Sequence, residues 1–167
     1  MAKLPQIDPD GLKFRRKYLV PLFNNKAGYW YLTKVAPRID ARMTPLTRGW
    51  ISSAPATPLL LMTHIGAKSG LQRTTPLMYF SRNDDVIVMA SNYGRDKHPA
   101  WLYNVIANPD VTLEFRGRTG HYRARVAEGA ERDELWESAK RFIANYADYE
   151  QRAGDREIQI VVCEYAD

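Results

Sequence analysis

Leu59-Leu60-Leu61-Met62-Thr63-His64-Ile65, then Gly66-Ala67-Lys68-Ser69-Gly70, then Leu71-Gln72-Arg73-Thr74-Thr75-Pro76-Leu77-Met78-Tyr79-Phe80 is the stretch that decides the fold. An apolar, strand-like run enters a turn bounded by two glycines, and a second strand is expected from Arg73 to Phe80. Asn83-Asp84-Asp85 makes the next turn, and Val86-Ile87-Val88-Met89-Ala90 reads as a buried strand. Strands joined this closely pair as antiparallel neighbours, because a parallel crossover needs a dozen or more residues. Further along, Val111 to Phe115 alternates apolar and polar residues, Arg116-Gly117-Arg118-Thr119-Gly120 turns it into His121 to Val126, and Ile158 to Val162 supplies a last β-branched strand.

Two helices are expected among these strands. Pro99 opens one, with Trp101, Leu102, Val105 and Ile106 on a single face, and Asn108-Pro109 ends it. The other runs from Glu131 to about Tyr146, where Leu135, Trp136, Ala139, Phe142, Ile143 and Tyr146 share a face at helical spacing. The class is therefore α+β, mainly β: about six antiparallel strands forming a small barrel packed by helices. Residues 1–58 read as a basic, amphipathic N-terminal helical arm and linker, and residues 59–167 as the barrel, in one structural domain overall. In the arm, Leu12 to Phe23 has helical spacing, Tyr29-Trp30-Tyr31-Leu32 forms an aromatic cluster, and Ala36 to Pro58 with its four prolines reads as a linker.

At 167 residues, 45% apolar and 26% charged, the chain is neither disordered nor fibrous. Its one cysteine, Cys163, can form neither an intrachain disulfide nor a cysteine-cluster zinc site, and no metal is assigned. Its longest apolar run, the five residues Val86 to Ala90, is far below a bilayer span, and Met1 to Asp10 lacks the apolar core of a signal peptide; the cytoplasm is the expected compartment. Charge is uneven. Residues 1–50 hold ten Lys and Arg against three Asp, whereas residues 121–167 hold seven against eleven acids. A cationic front attracts phosphates, acidic cofactors or an anionic membrane surface, and peripheral contact with the inner face of the cell membrane would run through residues 11–32. A nucleic-acid partner is not expected, because no stacking motif is interleaved with the cations. The oligomeric state is not readable from these patterns.

The turn from Gly66 to Arg73 is either an ordinary polar hairpin tip or a phosphate cradle, since its glycines permit close backbone approach while Lys68, Ser69 and Arg73 offer cations and a hydroxyl. It is not a nucleotide P-loop, for no GK[ST] opens a helix after the required spacer. Ser91-Asn92-Tyr93-Gly94 leaves a buried strand, either as a plain capped turn or as a polar rim. Tyr146 is either a packing residue or a phenol aimed at a reacting oxygen.

Taken in order and spacing, Gly66-x-Lys68-Ser69-Gly70-x-x-Arg73, Pro76-Leu77, Val86-Ile87-Val88-x-Ala90-Ser91, Pro99-x-Trp101-x-x-Asn104, Ala107-Asn108-Pro109-x-Val111 and Ile160-Val161-Val162-Cys163-Glu164 resemble the deazaflavin (coenzyme F420)-dependent nitroreductase and quinone reductase family, over about Leu59 to Glu164. The resemblance implies a split β-barrel and hydride transfer from reduced coenzyme F420 to quinones, nitro compounds or activated enones. By position, it implies that Ala67, Lys68, Ser69, Arg73, Thr74, Thr75, Pro76, Leu77 and Met78 hold the cofactor's phosphate and acidic tail. Met89, Ala90, Ser91 and Asn92, with Ala100, Trp101, Leu102, Tyr103 and Asn104, would line its ring and linker. Tyr146 would be the active-site tyrosine, with Tyr149 and Ser91 near the substrate. Ala67 and Asn92 stand where the family often has cations, and Ile143 where the best-known nitroimidazole-reducing member has tyrosine. An FMN-dependent oxidoreductase on a similar barrel, or a non-catalytic carrier of the cofactor or a fatty acid, are the competing readings.

Overall fold

The computed structural model describes residues 2–11, 25–47, 58–143 and 145–166. Within them, strands β1 (Leu59–Ile65), β2 (Gln72–Arg82), β3 (Asp85–Met89), β4 (Asp110–Phe115), β5 (Arg118–Val126) and β6 (Ile160–Ala166) close into a barrel in the order β1-β2-β3-β6-β5-β4. Every neighbouring pair is antiparallel. The helices are α1 (Lys26–Trp30), α2 (Ala36–Leu46), α3 (Ala100–Ala107), α4 (Gly129–Phe142) and α5 (Asn145–Ala153). Closure satisfies the strand edges that an open meander would expose.

Both faces of the central strands are buried, which explains their unbroken apolar runs. Val86 and Val88 of β3 join one apolar group with Val161 and Cys163 of β6, while Ile87 and Met89 join a second with Ile160 and Val162. The first group also takes Trp101, Leu102 and Val105 of α3. The second is completed by Leu135, Trp136, Ala139 and Phe142 of α4 and by Tyr146, Tyr149 and Ala153 of α5. Burying an apolar side chain of this size is worth ~1.5–3 kcal/mol, so each run contributes twice, once per face. Arg125 ties α4 to the wall through Glu131 at 2.6 Å and Glu164 at 2.7 Å.

The amino terminus belongs to this packing. Leu4 is buried in the first group and its N–H donates to Tyr122 Oη at 2.8 Å, and Ser81 N–H donates to Ile7 O at 2.8 Å.

Several local expectations are corrected. Ala36–Leu46 is helical where a linker was expected. Ala36, Asp40 and Thr44 are buried at fourfold spacing while the helix packs against β2, and that tertiary burial outweighs weak intrinsic propensity. A wider π turn at Tyr31–Val35, where Ala36 N–H donates to Tyr31 O, precedes Pro37, which has no N–H to give to an α turn. The expected helix from Glu131 to Tyr146 is two helices, because Ile143 turns extended (φ −136°, ψ 110°) and packs against the second apolar group. Ile106 is 59% exposed and does not share the buried face of α3. The β4–β5 turn is only Arg116-Gly117, both with positive φ (49° and 80°), so β5 begins at Arg118. β6 begins at Ile160 and runs to Ala166. The helix expected over residues 12–23 and the remainder of the linker, 48–57, lie outside the described residues.

Candidate active site

The glycine-bounded turn is held from below by a polar chain. Gly66 N–H donates to Leu71 O at 2.9 Å and Gly70 N–H to Gly66 O at 2.8 Å. Ala67 N–H donates to Asn104 Oδ1 at 2.9 Å, which fastens the turn to α3. Asn104 Nδ2 lies 3.3 Å from His64 Nδ1, and His64 Nε2 lies 3.1 Å from Thr75 Oγ1. With Asn104 donating, His64 is the Nε2–H tautomer and donates to Thr75. His64 is buried, and that burial, followed by the Arg73 guanidinium, holds its pKa below 6.5. The neutral ring this arrangement needs is therefore the favoured one.

Ser69 Oγ sits where a side chain at Gly66 would begin, 2.5 Å from the position of an added Cβ, so any larger residue there would displace the Ser69 hydroxyl and press on Leu71 O at 3.3 Å. The amides of Gly66, Ala67, Gly70 and Leu71 are used within the turn, Leu71 N–H donating to Ser69 Oγ at 3.3 Å. Among the described residues, the Lys68 and Ser69 amides have no acceptor, and neither Lys68 nor Arg73 has a carboxylate partner. Two exposed cations beside two free amides are the donor set of an anion seat, and they fit a phosphate-bearing cofactor. Thr74 is exposed, with its hydroxyl 3.1 Å from that of Thr63. Pro76 lies opposite Leu61, Leu77 packs on the first apolar group and Met78 on the second.

β3 delivers Met89 and Ala90, both buried, to the turn at Ser91. Arg156 organises that turn. Its Nη2 donates to Ser91 O at 2.8 Å, its Nε to Arg95 O at 2.8 Å and its Nη1 to Ala90 O at 3.3 Å; Nη1 also lies 3.3 Å from His98 Nδ1. Asn92 Nδ2 donates to Lys97 O at 2.7 Å. On α3, Trp101 and Leu102 are buried, Tyr103 is 54% exposed against His98, and Asn104 is half-buried. Ala100 is exposed.

The tyrosines meet on the other side of this turn. Tyr146 and Tyr149 of α5 lie 5.9 Å apart between ring centres, Tyr149 is 6.2 Å from Tyr93, and Tyr146 is 5.8 Å from Trp136. Trp136 Nε1 donates to Glu150 at 2.7 Å, locking α4 onto α5. Burial first, then the phenols of Tyr149 and Tyr93, push the Tyr146 pKa far above its ordinary value of 10.0. Tyr146 is thus a phenol that keeps its proton and can donate it in a hydrogen bond. Cys163, buried in the barrel, has its thiol pushed up to about 12 and is unreactive at neutral pH.

The F420H(2)-dependent quinone reductase family matches residues 36–165. The chain belongs to that family. An F420H(2)-dependent quinone reductase of Mycobacterium tuberculosis is 34% identical over 110 residues, covering 64% of this chain and 73% of that protein. The solved structure of an F420-H2 dependent reductase (FDR-A) is 38% identical, covers 64% of this chain and 94% of that one, and superposes with a TM-score of 0.59. Another, described as a domain-swapped dimer, is 34% identical, covers 73% and 92%, and has a TM-score of 0.60. Family membership makes the protein an oxidoreductase that takes a hydride from reduced coenzyme F420 and passes it to a quinone-type acceptor.

Three members of this arrangement carried no signal strong enough to be singled out. His64 has no carboxylate or cysteine at metal-ligand spacing, so its sequence setting assigns it no role. Arg156 lies in an irregular segment without a motif. Tyr93 sat within a turn whose backbone could not be anticipated.

Proposed function

We propose that the Gly66–Arg73 turn seats the anionic part of coenzyme F420, with Lys68, Ser69 and Arg73 as its charged and hydroxyl contacts and Ala67 supporting them through its bond to Asn104. Thr74, Thr75, Pro76, Leu77 and Met78 continue the seat along β2. Met89, Ala90, Ser91 and Asn92 from β3, with Ala100, Trp101, Leu102, Tyr103 and Asn104 from α3, frame the ring and linker. When bound, the reduced deazaflavin supplies the hydride. Tyr146 donates a hydrogen bond to the acceptor oxygen on which negative charge develops, while Tyr149 and Ser91 position the acceptor. The observation that carries this reading is the unpaired cationic turn, tied by Asn104 to the same helix that flanks the Ser91 turn.

Oxidation of reduced coenzyme F420 by menadione, followed by the reappearance of deazaflavin absorbance, is the expected result with purified protein. Tight FMN binding with no response to coenzyme F420 would favour a flavin enzyme. Binding of coenzyme F420 with no turnover by any quinone, nitro compound or enone would favour a carrier.

A peripheral membrane role is supported by a separate observation. Ile39, Met43 and Leu46 of α2 are exposed on one side of the helix, beside exposed Lys34, Arg38 and Arg42. An apolar stripe bordered by cations suits an anionic bilayer surface, where lipid-soluble quinones reside. No described helix is long and apolar enough to cross a membrane. Co-sedimentation with vesicles rich in anionic lipid should fall in an Ile39→Ser/Leu46→Ser variant; equal sedimentation would refute docking through this face.

A further inference from the structure

The backbone after β3 is left-handed at three consecutive residues: Asn92 (φ 47°), Tyr93 (φ 58°) and Gly94 (φ 72°). Glycine and asparagine tolerate that region, but a bulky aromatic residue is an outlier there, and such outliers persist only where the surroundings over-determine them. Here they do. Gly94 faces Tyr149 so closely that an added Cβ would lie 2.7 Å from Tyr149 O and 2.9 Å from its Cα. Asn92 is bonded to Lys97 O and Arg156 to Ser91 O, so the turn is clamped on both flanks. The consequence is a fixed aim for one side chain. The Tyr93 ring meets Tyr149 edge to face (6.2 Å, 72°), and Tyr149 in turn meets Tyr146. Tyr146 and Tyr149 are buried, whereas Tyr93 is half-buried, so it is the outermost ring of the three. Burial first, and then the Asp40 carboxylate of α2, raise the pKa of its phenol, which stays protonated.

We propose that Tyr93 is a specificity-determining residue of the acceptor site, its ring setting the width of the approach to the buried phenols so that flat quinones are admitted and quinones crowded beside both carbonyls are held out. This rests on the assignment of Tyr146 and Tyr149 to the acceptor side. Ring volume, not the hydroxyl, is the determinant.

The test compares menadione with duroquinone, whose carbonyls are each flanked by two methyl groups. Tyr93→Gly relieves the left-handed strain and Tyr93→Asn tolerates it, so two truncations are available should one fold poorly; thermal midpoints check this. Either truncation should raise the ratio of kcat/KM for duroquinone over menadione at least fivefold. Tyr93→Phe should leave that ratio within twofold of the wild type. The dissociation constants of both quinones, read from quenching of protein fluorescence to which Trp136 beside Tyr146 contributes, should shift in the same sense without any cofactor. An unchanged duroquinone-to-menadione ratio in a folded truncation, in kinetics or in binding, overturns the proposal. A wild-type protein that oxidises no reduced coenzyme F420 would count against the functional reading instead, and the fluorescence ratio would still decide the role of Tyr93.

Discussion

The role proposed for Tyr146 depends on its burial. With its pKa driven up by desolvation, it stays protonated, and in the proposed role it would need no reorganisation when charge appears on an acceptor oxygen. Tyr146→Phe should lower turnover with menadione by roughly tenfold or more, with cofactor affinity little changed; steady-state kinetics beside a coenzyme F420 titration measure both. His64 shows the opposite use of burial. Its folded pKa lies below the ordinary 6.5, so the unfolded chain binds more protons in the window beneath 6.5. Its contribution to stability is complete above that value and is lost as pH falls through the window. Thermal midpoints taken at about pH 7.5 and about pH 5.5 should therefore drop further for the wild type than for His64→Gln, which keeps polar groups without titrating. Parallel profiles would show that His64 does not titrate in this way. The tyrosine was legible as a candidate from the resemblance. The histidine was not, because its role depends on Asn104, forty positions away in sequence.

At the scale of elements, two glycines of similar φ separate backbone strain from crowding. Gly117 (φ 80°) has nothing within 4 Å of an added Cβ, whereas Gly94 (φ 72°) would collide with the backbone of Tyr149. Gly117→Ala should cost only the left-handed penalty, about 1–2 kcal/mol. Gly94→Ala adds overpacking against α5 and should cost about 2–4 kcal/mol, read from the urea midpoint at unchanged slope. It should also reduce turnover, since the same contact places Tyr93 and Tyr149. Strand positions were readable because apolar runs and glycine-bounded turns are local signals: β1 spans the residues expected of it, and β2 and β3 differ only at their ends. Helix boundaries were less so. Nothing local marks Ile143 as a break, and nothing local favours a helix over Ala36–Leu46; packing against the barrel decides both.

For the molecule as a whole, the uneven charge is the property with the longest reach. Lys68 and Arg73 are exposed, so in the proposed seat they would act on an anionic cofactor through water and be open to screening, and affinity for coenzyme F420 should weaken steadily as salt rises. Lys68→Ala/Arg73→Ala should bind it at least about tenfold more weakly, each charged hydrogen bond being worth ~1.5–3 kcal/mol, and with a flatter salt dependence; retained affinity would remove the turn from the binding site. Isothermal titration across a salt series measures both quantities. Composition and strand periodicity pointed to a barrel of antiparallel strands, and the ordered motifs between Gly66 and Glu164 carried the resemblance to the family, because all of these depend on neighbours in sequence. Which strands meet to close the barrel, the clamp of Arg156, the seating of residues 2–7 and the meeting of Tyr93 with α5 arise from contacts between distant segments. Those contacts exist only once the whole chain has packed, because burial and hydrogen-bond geometry are properties of the assembled fold.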